Sequence, residues 1–477
     1  MKKLTRILIE SKLHELAIEF LSQEIKGTKF QGKVFLAGGG VRDSIMNLSI
    51  KDIDLVIKDI PNGGIEFANW ICKKLNIYSS SNPVVFPRFG TAKFVLKGIM
   101  YKDVDLSSID VECVMTRKEK YFEKNRKPKV SQGTLKDDVE RRDFTVNSLL
   151  QDLSTGEILD LTGMGKQDIK LGIIQTPLDP DIIFSEDPLR MLRAIRFSCK
   201  YNWKLPMFML KAIKRNSSKL QNISSERIQD ELNKILLTNN PDKGIRLIQI
   251  TGLSKTVMPE FDNLIGLKQN KYHKWDAAKH TLEVLKNVPV DLKTRLAALF
   301  HDIGKAQTKE IIDNDIHFYM HEDVGAKIAE DIMRKLKYPN DIIKSVVIGI
   351  QNHMRLKNSG VSGELISDKA LRRLKRDLGD NIEMVLDLMH ADNLSHSDSH
   401  SMPNQIPGIR LRLQNMIDNI NNSQHIKLPI NGNDLIKIGI KPGKQIGDLL
   451  KIIEDKYMEN PNLTKEQAIK IIQKHIK

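Results

Sequence analysis

The sequence predicts an α+β fold, with a head of mixed β-sheet and helices followed by a remainder that is almost all α-helical. Strand-like apolar runs recur between Val34 and about Ile174, whereas the pattern is almost entirely helical from about residue 182 to the end. Strands that come first and helices that come afterwards are typical of an α+β head with α-helical domains behind it. Because 477 residues are too many for one core, we expect two to four domains.

The composition is that of a globular protein with an excess of basic residues. The chain is 40% hydrophobic and 28% charged, has a formal charge of +15, and has a sequence pI of about 9.4. This charge favours a polyanionic partner, most often nucleic acid. The alternative is that the chain comes from an AT-rich genome, which favours lysine. Cys72, Cys113 and Cys199 lie far apart without disulfide or zinc spacing, which fits a reducing cytoplasm. The N-terminus is typical of an amphipathic helix rather than a signal peptide, and no apolar run is long enough to span a membrane.

The head strands are predicted to follow an N-terminal helix. The strand-like runs are "KVFLAGG", "DIDLVI", "TAKFVL" and "DVECVM". A glycine turn ends the first of them, and the next helix is predicted at "VRDSIMN". Glycines there let the backbone approach a phosphate closely, and a helix N-terminus offers free N–H groups. A plain tight turn is the alternative, because a glycine-rich turn alone is weakly specific.

Two carboxylates, Asp52 and Asp54, belong to the second strand-like run. Residues two apart in a strand point to the same face and are about 7 Å apart at the backbone. Carboxylates in this arrangement can hold Mg²⁺, which prefers oxygen ligands and usually shares them with substrate phosphates. Beside "LVI" both would be costly to bury without a cation, although one aspartate could simply be solvated on an edge strand. The glycine turn, the Arg-Asp pair and Asp-x-Asp together indicate phosphoryl or nucleotidyl transfer.

Two arginine-rich motifs come later in the chain. In "ERRDFTVNSLL", Arg141 and Arg142 could grip phosphates while Asp143 and Asn147 lie one helical turn apart, and a surface salt-bridge cluster is the alternative. In "SEDPLRMLRAIRF", we expect Ser185 to cap a helix. That helix carries a carboxylate and an arginine stripe at a spacing of three residues, namely Asp187, Arg190, Arg193 and Arg196. Beside a metal pair, this stripe favours a nucleotide site over a solvated basic face.

Together, these three motifs resemble the bacterial class II tRNA nucleotidyltransferases, which are the CCA-adding enzymes, and their bacterial poly(A) polymerase relatives. The similarity also covers "FGTAKFVL", "ISSERIQDELNKILL" and "INGNDLIKIGIKPGKQIGDLL", and thus most of the chain. The resemblance implies a nucleotidyltransferase head of the DNA polymerase beta-like type. It implies catalysis and Mg²⁺ ligation by Asp52 and Asp54. The nucleotide contacts that it implies are Gly39, Arg42, Arg142, Asp187, Arg190, Arg193 and Arg196.

The identity of a third head carboxylate is left open by the sequence, with Asp110 and Glu112 on the "IDVECVM" strand as candidates. The charged segment Thr116–Asp138 is poor in apolar residues, and we expect a mobile loop there. In the family, a flexible loop at this place assists the change from C to A addition and is shortened in CC-adding relatives. Its presence therefore favours synthesis of the whole CCA sequence.

Base selection is predicted from the pattern of donors and acceptors. Cytosine and adenine both present an amino donor beside a ring-nitrogen acceptor, whereas guanine and uracil reverse that order. A carboxylate such as Asp187 only accepts, and a guanidinium such as Arg190 only donates, so the pair matches C and A. The resemblance implies that these two residues act as a protein template.

A second site is predicted in the helical remainder. Its residues are a histidine, an adjacent His-Asp pair and a distant aspartate, namely His280, His301, Asp302 and Asp392. This set resembles the HD phosphohydrolase domain and implies a divalent metal of unknown identity, since imidazole and carboxylate suit a transition metal or Mg²⁺. His321 and His353 add to the set, although lone histidines are usually structural. Related bacterial nucleotidyltransferases carry such a domain with phosphatase or 2′,3′-cyclic phosphodiesterase activity.

The sequence therefore predicts a cytoplasmic enzyme that adds CCA to tRNA 3′ ends from CTP and ATP. Basic helical regions are expected to hold the acceptor stem and elbow of the tRNA, mostly through phosphates and shape. The alternatives are a poly(A) polymerase with the same head, an HD phosphohydrolase whose head only binds nucleotide, and a non-catalytic RNA-binding protein. The carboxylates Asp52 and Asp54 argue against the last two alternatives. The length of the added RNA distinguishes a poly(A) polymerase from a CCA-adding enzyme.

The domain organisation is expected to comprise five regions. They are an N-terminal helical extension (1–30), the head (31–180), a neck and body (181–272), the HD domain (273–400) and a helical tail (401–477). A loop or linker is predicted at Asp392–Gly408, because this stretch is low in aromatic residues.

Overall fold

The computed structural model describes residues 2–122, 125–422, 428–459 and 462–476. It confirms the α+β class, because a head with a mixed sheet is followed by a helical remainder. The strands are, in chain order, β1 (Val34–Ala37), β2 (Ile53–Ile57), β3 (Val84–Phe86), β4 (Thr91–Val95), β5 (Met100–Tyr101), β6 (Val104–Asp105), β7 (Asp110–Met115), β8 (Arg117–Phe122), β9 (Asn125–Gln132), β10 (Leu150–Asp152), β11 (Ile158–Leu159), β12 (Lys309–Ile312) and β13 (Asp315–Phe318).

The helices account for most of the rest of the described chain. They are α1 (Lys2–Glu24), α2 (Gly39–Ile45), α3 (Gly63–Lys74), α4 (Leu135–Glu140), α5 (Gly165–Leu171), α6 (Pro180–Glu186), α7 (Leu189–Tyr201), α8 (Met207–Asn216), α9 (Ser225–Leu236), α10 (Pro241–Ile250), α11 (Ser254–Val257), α12 (Ala277–Asn287), α13 (Leu292–Phe300), α14 (His321–Lys335), α15 (Asn340–Asn352), α16 (Asp368–Leu378), α17 (Ile382–Leu394), α18 (Gln405–Asn422), α19 (Gly432–Lys437), α20 (Lys444–Glu459) and α21 (Lys465–Ile476). Among the described residues, no helix combines the length and the apolar character that a membrane crossing requires.

One seven-stranded sheet forms the frame of the head, with the strand order β11-β10-β1-β2-β7-β4-β3. β2 and β7 run parallel, whereas the other neighbouring pairs are antiparallel. The four apolar runs of the sequence become β1, β2, β4 and β7, as predicted. Because β2 lies between β1 and β7, its two aspartates are placed near the middle of the sheet.

The N-terminal helix is part of the head rather than a separate extension. Ala17, Phe20, Leu21 and Ile25 are buried in the same apolar cluster as the sheet and α3. Burial of these side chains removes apolar surface from water and fixes the second half of α1 against the head. The predicted boundary at residue 30 therefore falls inside one core.

A second core continues without a break from the neck into the HD region. It includes Phe144, Leu192, Ile235, Ala297 and Leu388. The regions predicted as 181–272 and 273–400 thus share one apolar core. Two smaller clusters lie within residues 356–413 and 430–472, so α18 packs with the helices before it while α19, α20 and α21 form a unit of their own.

Two segments that were expected to be loops are more regular in the structure. The charged segment Thr116–Asp138 forms an antiparallel hairpin of β8 and β9, followed by the first residues of α4. Composition alone does not reveal this hairpin, because the pairing of its two strands joins separate segments of the chain. The linker predicted at Asp392–Gly408 is also shorter, because α17 continues to Leu394 and α18 begins at Gln405.

Ser185 does not cap the arginine-bearing helix, contrary to the sequence prediction. The preceding helix α6 begins after an Asp179 cap with Pro180 in its first turn, and it extends past Ser185. The Ser185 hydroxyl donates to the Asp181 carbonyl oxygen within that helix at 2.5 Å. The carboxylate of Asp187 instead accepts the Leu189 N–H at the start of α7, at 3.2 Å.

Candidate active sites

The head carboxylates lie at the start of β2. Asp52 immediately precedes the strand, and Asp54 is its exposed residue between the buried side chains of Ile53 and Leu55. The parallel register pairs Asp54 with Glu112 of β7. Three carboxylates therefore gather at one end of the β2–β7 pair, where oxygen ligands for a hard cation are needed.

The structure distinguishes the two candidates for the third carboxylate. Glu112 lies opposite Asp54 and borders the same cleft. Asp110 lies at the first residue of β7 and forms a salt bridge with Lys93 at 2.7 Å. Because this lysine already compensates Asp110, Glu112 is the better candidate.

The pKa of Asp54 is raised by burial and by neighbouring negative charge. It is raised to about 6, first by desolvation at the floor of the cleft and then by the nearby charge of Glu112. Arg142 opposes the shift, and Asp52 adds to it. Carboxylates that raise one another's pKa are relieved by a shared cation, so these residues fit a divalent metal.

A buried hydrogen-bond network links the glycine turn to the arginine helix. Arg42 of α2 donates to Asp43 at 2.8 Å and to the Asn147 side-chain oxygen at 2.5 Å. The Asn147 amide donates to Asp143 at 2.9 Å, and Arg193 of α7 donates to the same aspartate at 2.5 Å. Asp143 and Asn147 therefore connect α2 to α7, which fixes the two sides of the cleft relative to each other.

Arg142 is held against the glycine turn. Its guanidinium donates to the buried Asp138 carboxylate at 3.0 Å and to the Asn147 carbonyl oxygen at 3.2 Å. Gly38 has a φ of 68°, and a Cβ at this position would lie only 2.8 Å from an Arg142 nitrogen. The turn thus requires glycine for two reasons, the backbone conformation and the close approach of Arg142.

The arginine stripe of α7 is bound to protein groups. Arg193 is paired with Asp143, and Arg196 donates to the buried Glu231 at 2.7 Å. Arg190 is almost fully buried and donates to the Arg141 carbonyl oxygen at 2.7 Å. Its guanidinium also lies 3.2 Å from Glu186.

Asp187 has an ion-pair partner that was not among the residues predicted from the sequence. Arg227 of α9 lies 2.9 Å from its carboxylate and borders the same cleft. The "ISSERIQ" segment carried the signal for Arg227, because it places one arginine near the start of a strongly amphipathic helix. Whether Asp187 and Arg190 read bases stays a prediction, since both are hydrogen-bonded to the protein itself here.

One cleft of about 570 Å³ unites the head residues. The predicted head residues that line it are Gly39, Arg42, Asp52, Asp54, Arg142, Asp187, Arg190, Arg193 and Arg196. Lys51 and Lys200 also line the cleft, and the sequence analysis did not single them out. Carboxylates and cations therefore line the same cleft, whose volume suits a nucleotide.

The HD residues meet in the helical remainder, where all four are buried. His280 lies in α12, His301 directly follows α13, and Asp392 lies in α17. The His301 Nε2 atom is 3.2 Å from the Asp302 Oδ2 atom, and the His280 Nε2 atom is 2.9 Å from the Asp392 Oδ1 atom. The two histidines and Asp302 present ligand atoms to one point.

The hydrogen bonds around this centre fit a metal. The Nδ1 atom of His301 lies 2.9 Å from the Ala298 carbonyl oxygen, and that of His280 lies 3.3 Å from the Ser395 carbonyl oxygen. A carbonyl oxygen only accepts, so Nδ1 of His301 carries the proton and its Nε2 atom presents a lone pair. The Nε2 atom of His280 is instead hydrogen-bonded to the Asp392 carboxylate. Within the described part of the chain, the buried His301 Nε2 atom has the Asp302 carboxylate 3.2 Å away but no well-aligned hydrogen-bond partner, which fits a metal ligand.

Three family models match successive parts of the chain. They are the poly A polymerase head domain at residues 34–175, a probable RNA and SrmB-binding site of polymerase A at 208–265, and the HD domain at 273–396. The first covers the head from β1 to α5 and ends before α6, and the third covers the histidine centre.

Named relatives match over much of the chain. The tRNA nucleotidyltransferase cca2 of Schizosaccharomyces pombe is 26% identical over 92% of this chain and 92% of its own length. The CC-adding tRNA nucleotidyltransferase of Thermus thermophilus is 28% identical over 71% of this chain and 76% of its own. A crystal structure of the Bacillus stearothermophilus CCA-adding enzyme in complex with CTP is 19% identical, with a TM-score of 0.62 over 97% of each chain, and shows the same fold.

Proposed function

We propose that this chain, which belongs to the family of poly(A) polymerases and tRNA nucleotidyltransferases, adds and repairs the 3′-terminal CCA of tRNA from CTP and ATP. The observation that carries the proposal is the cleft that is lined both by the β2 and β7 carboxylates and by the arginines of α7. The similarity to tRNA nucleotidyltransferases over most of the chain supports tRNA as the substrate. The three cysteines are free thiols, which fits the proposed cytoplasmic location.

The chemistry proposed for the cleft needs few groups from the protein. Asp52, Asp54 and Glu112 would hold Mg²⁺, which activates the RNA 3′-hydroxyl and neutralises the departing pyrophosphate when bound. Arg142 and Lys200 are candidates to bind the triphosphate, because both line the cleft and Arg142 lies against the glycine turn. Positioning and charge neutralisation dominate such transfers, so further acid–base residues are not required.

The decisive experiment uses a tRNA that lacks its 3′ end. The purified chain is incubated with this tRNA and each nucleotide separately and together, and the products are sequenced. Addition of C, C and A that then stops is the expected result. A long A tail would identify a poly(A) polymerase instead, and no incorporation would leave a phosphohydrolase with a nucleotide-binding head.

The β8–β9 hairpin supports addition of the final A as well as the two cytidines. By the family resemblance, it corresponds to the segment that is shortened in CC-adding relatives, and Gly133 at its end lets the backbone lie close to Arg117. A chain shortened within residues 118–131 should add CC to a tRNA lacking CCA yet fail to extend a tRNA that ends in CC. Equal loss of both steps would remove this role of the hairpin.

A second activity, metal-dependent phosphohydrolysis, is proposed for the centre of His280, His301, Asp302 and Asp392. It is favoured by the meeting of these residues and by the unpartnered His301 Nε2 atom. The identity of the ion is left to experiment, because nitrogen and oxygen ligands together suit several divalent metals. Hydrolysis of a 2′,3′-cyclic phosphate and of a phosphomonoester, each with Mg²⁺, Mn²⁺, Ni²⁺ or Co²⁺, tests this activity.

A further inference from the structure

Nine cationic side chains line the head cleft, and they fall into two classes by their charge partners. Seven are arginines, and each has a carboxylate oxygen of the protein within 3.2 Å of its guanidinium. The other two are Lys51 and Lys200, and neither forms an ion pair or a hydrogen bond with any residue that the structure describes. The arginines are therefore already compensated, whereas the two lysines keep their charge and their protons for a substrate.

Lys200 lies at the opposite end of α7 from the residues that are predicted to read the base. It follows Arg190 by ten residues, which corresponds to about 15 Å along a helix axis. Asp187 and Arg190, at the start of α7, line the same cleft as Lys200. A nucleotide that lies along α7 with its base at the start of the helix therefore has its phosphates at the end that carries Lys200.

A pair of aromatic rings positions Lys200 beside α2. The Lys200 Nζ atom lies 4.7 Å from the ring centre of Tyr201, which stacks on Phe197 with 6.1 Å between the ring centres. The Tyr201 hydroxyl donates to Asp43 of α2 at 3.3 Å, and the Arg42 guanidinium lies over both rings. Burial raises the pKa of Tyr201 to about 12, so its hydroxyl stays neutral. Lys200 is thus held near the glycine turn, where α2 begins.

The groups that face Lys200 make its ammonium a stronger acid. Partial desolvation in the cleft lowers the pKa of Lys200 below its usual value of 10.5, and the charge of Arg42 lowers it further. Lys51, which lies just before β2, and Arg196, one turn earlier on α7, act in the same direction, whereas Asp43 opposes them. An ammonium in these surroundings gives up a proton more readily than a fully solvated lysine does.

We propose that Lys200 is the proton donor to the pyrophosphate that leaves during nucleotide addition. This inference rests on the proposed function and adds a catalytic residue to it. The 3′-oxygen of the RNA gives up its proton to water and forms a bond to the α-phosphorus, and the bond from this phosphorus to the α,β-bridging oxygen breaks. The bridging oxygen keeps the electron pair of that bond and takes a proton from the Lys200 Nζ atom. The amine then regains a proton from water.

A proton donor accelerates this transfer without being indispensable to it. Positioning and charge neutralisation dominate the chemistry, so addition continues at a reduced rate without the donor. A positioned general acid contributes about 10²–10⁴-fold to a rate. Lys51 adjoins Asp52 at the carboxylate end of the cleft, whereas Lys200 belongs to the helix along which the nucleotide is placed, so Lys200 is the better donor.

Lys200→Arg separates proton donation from phosphate binding, because a guanidinium keeps the charge but does not release a proton. It should lower the single-turnover rate of CTP addition to a tRNA lacking CCA by at least about tenfold, while the apparent KM for CTP changes little. Lys200→Gln, which removes the charge as well as the proton, should lower the rate and also raise the apparent KM. Lys211→Arg is the matched control, because Lys211 is exposed on α8 and does not border the cleft.

The basicity of the leaving group provides a readout that a purely structural role would not change. CTP with a β,γ-difluoromethylene bridge releases a less basic group than CTP with a β,γ-methylene bridge, so loss of the proton donor matters less for the fluorinated analogue. The rate lost by Lys200→Arg should therefore be several-fold smaller with the difluoromethylene analogue than with the methylene analogue. If Lys200→Arg unfolds by circular dichroism, the same comparison is made with Lys200→Gln.

The possible outcomes separate this inference from the proposed function. A parental rate in Lys200→Arg, or an equal loss with both analogues, would overturn proton donation by Lys200 and leave nucleotide addition intact. A parent chain that adds no nucleotide to the tRNA would overturn the proposed function and this inference with it.

Discussion

Asp54 and Glu112 lie directly opposite each other on the parallel strands β2 and β7. This pairing joins two residues that are far apart in the chain and makes Glu112 part of the carboxylate group at the cleft. Asp110 lies two residues earlier on β7, and its negative charge is already compensated by Lys93.

The first prediction separates these two acidic residues. Asp54→Ala should abolish nucleotide addition, and Glu112→Gln should lower kcat by about a hundredfold or more, because each removes a ligand for the ions that stabilise the transition state. Asp110→Asn is the matched control and should stay close to the parent. The measurement is the initial rate of CTP incorporation by each variant. An Asp110→Asn variant as impaired as Glu112→Gln would contradict the assignment of Glu112 as the third carboxylate.

The second prediction concerns the glycine turn. Gly38→Ala should strongly reduce nucleotide addition, because the backbone has a φ of 68° there and the new Cβ would displace Arg142. Gly40→Ala should reduce it much less, since its Cβ would lie 3.3 Å from the Leu36 side chain and 3.5 Å from the Asp52 carbonyl oxygen, without a clash with Arg142. Catalytic efficiency for CTP measures both. Equal activity of the two variants would mean that Arg142 does not need its place against the turn.

The third prediction tests the protein template. Asp187→Ala and Arg190→Ala should each lower kcat/KM for CTP and ATP together by roughly ten- to a hundredfold, and discrimination against UTP and GTP should fall. Arg215→Ala is the control, because its ion pair with Asp181 is exposed at the surface and Arg215 does not border the cleft.

The competing role for Arg190 is to brace α7 through the Arg141 carbonyl oxygen. If Arg190 has such a role, or contacts phosphates, Arg190→Ala should lower kcat/KM for all four nucleotides equally. Unchanged ratios among the four nucleotides, on tRNA lacking CCA and on tRNA ending in CC, would therefore remove the template.

The fourth prediction concerns the independence of the two sites. His301→Ala with Asp302→Ala should remove phosphohydrolase activity and leave CCA addition nearly intact, because neither residue borders the head cleft. The neck and the HD region share one apolar core, so circular dichroism and thermal unfolding accompany both assays. Loss of nucleotide addition in a folded variant would show that the two sites are coupled.

The fifth prediction is a pH dependence of stability. Burial alone would raise the pKa of Asp138, but Arg142 and Arg141 outweigh it and hold that pKa below its usual value of 3.8. A carboxylate whose pKa is lower in the folded chain stabilises the fold above its unfolded pKa, and this contribution is lost as the pH falls through the folded pKa. Asp138→Asn should therefore cost about 3 kcal/mol near neutral pH.

The difference between Asp138→Asn and the parent should shrink as the pH falls below the usual value of 3.8. Urea unfolding at several pH values, followed by circular dichroism, measures it. Glu140→Gln is the control, because its contact with Lys136 is a long surface pair at 3.8 Å, which contributes about 0.5 kcal/mol or less. A constant difference at all pH values would mean that Asp138 acts through packing alone.

The sequence by itself determined the features that depend on local order. Alternating or continuous apolar runs determine β1, β2, β4 and β7, and the glycine turn after β1 determines where α2 begins. The spacing of Asp52 and Asp54 puts both on one end of β2. Local spacing likewise determines that the arginines of α7 lie along one side of a helix, because they recur every three residues.

The tertiary structure decided what depends on contacts between distant segments. Register between β2 and β7 made Glu112, and not Asp110, the neighbour of Asp54. The cap at Asp179 started α6 early and left Ser185 inside it, while cross-strand pairing turned a charged segment into the β8–β9 hairpin. Packing of Gly304 against α14 brought His321 to Asp302. Local sequence does not encode these pairings, because each is selected by the free energy of burying and hydrogen-bonding groups that meet only in the folded chain.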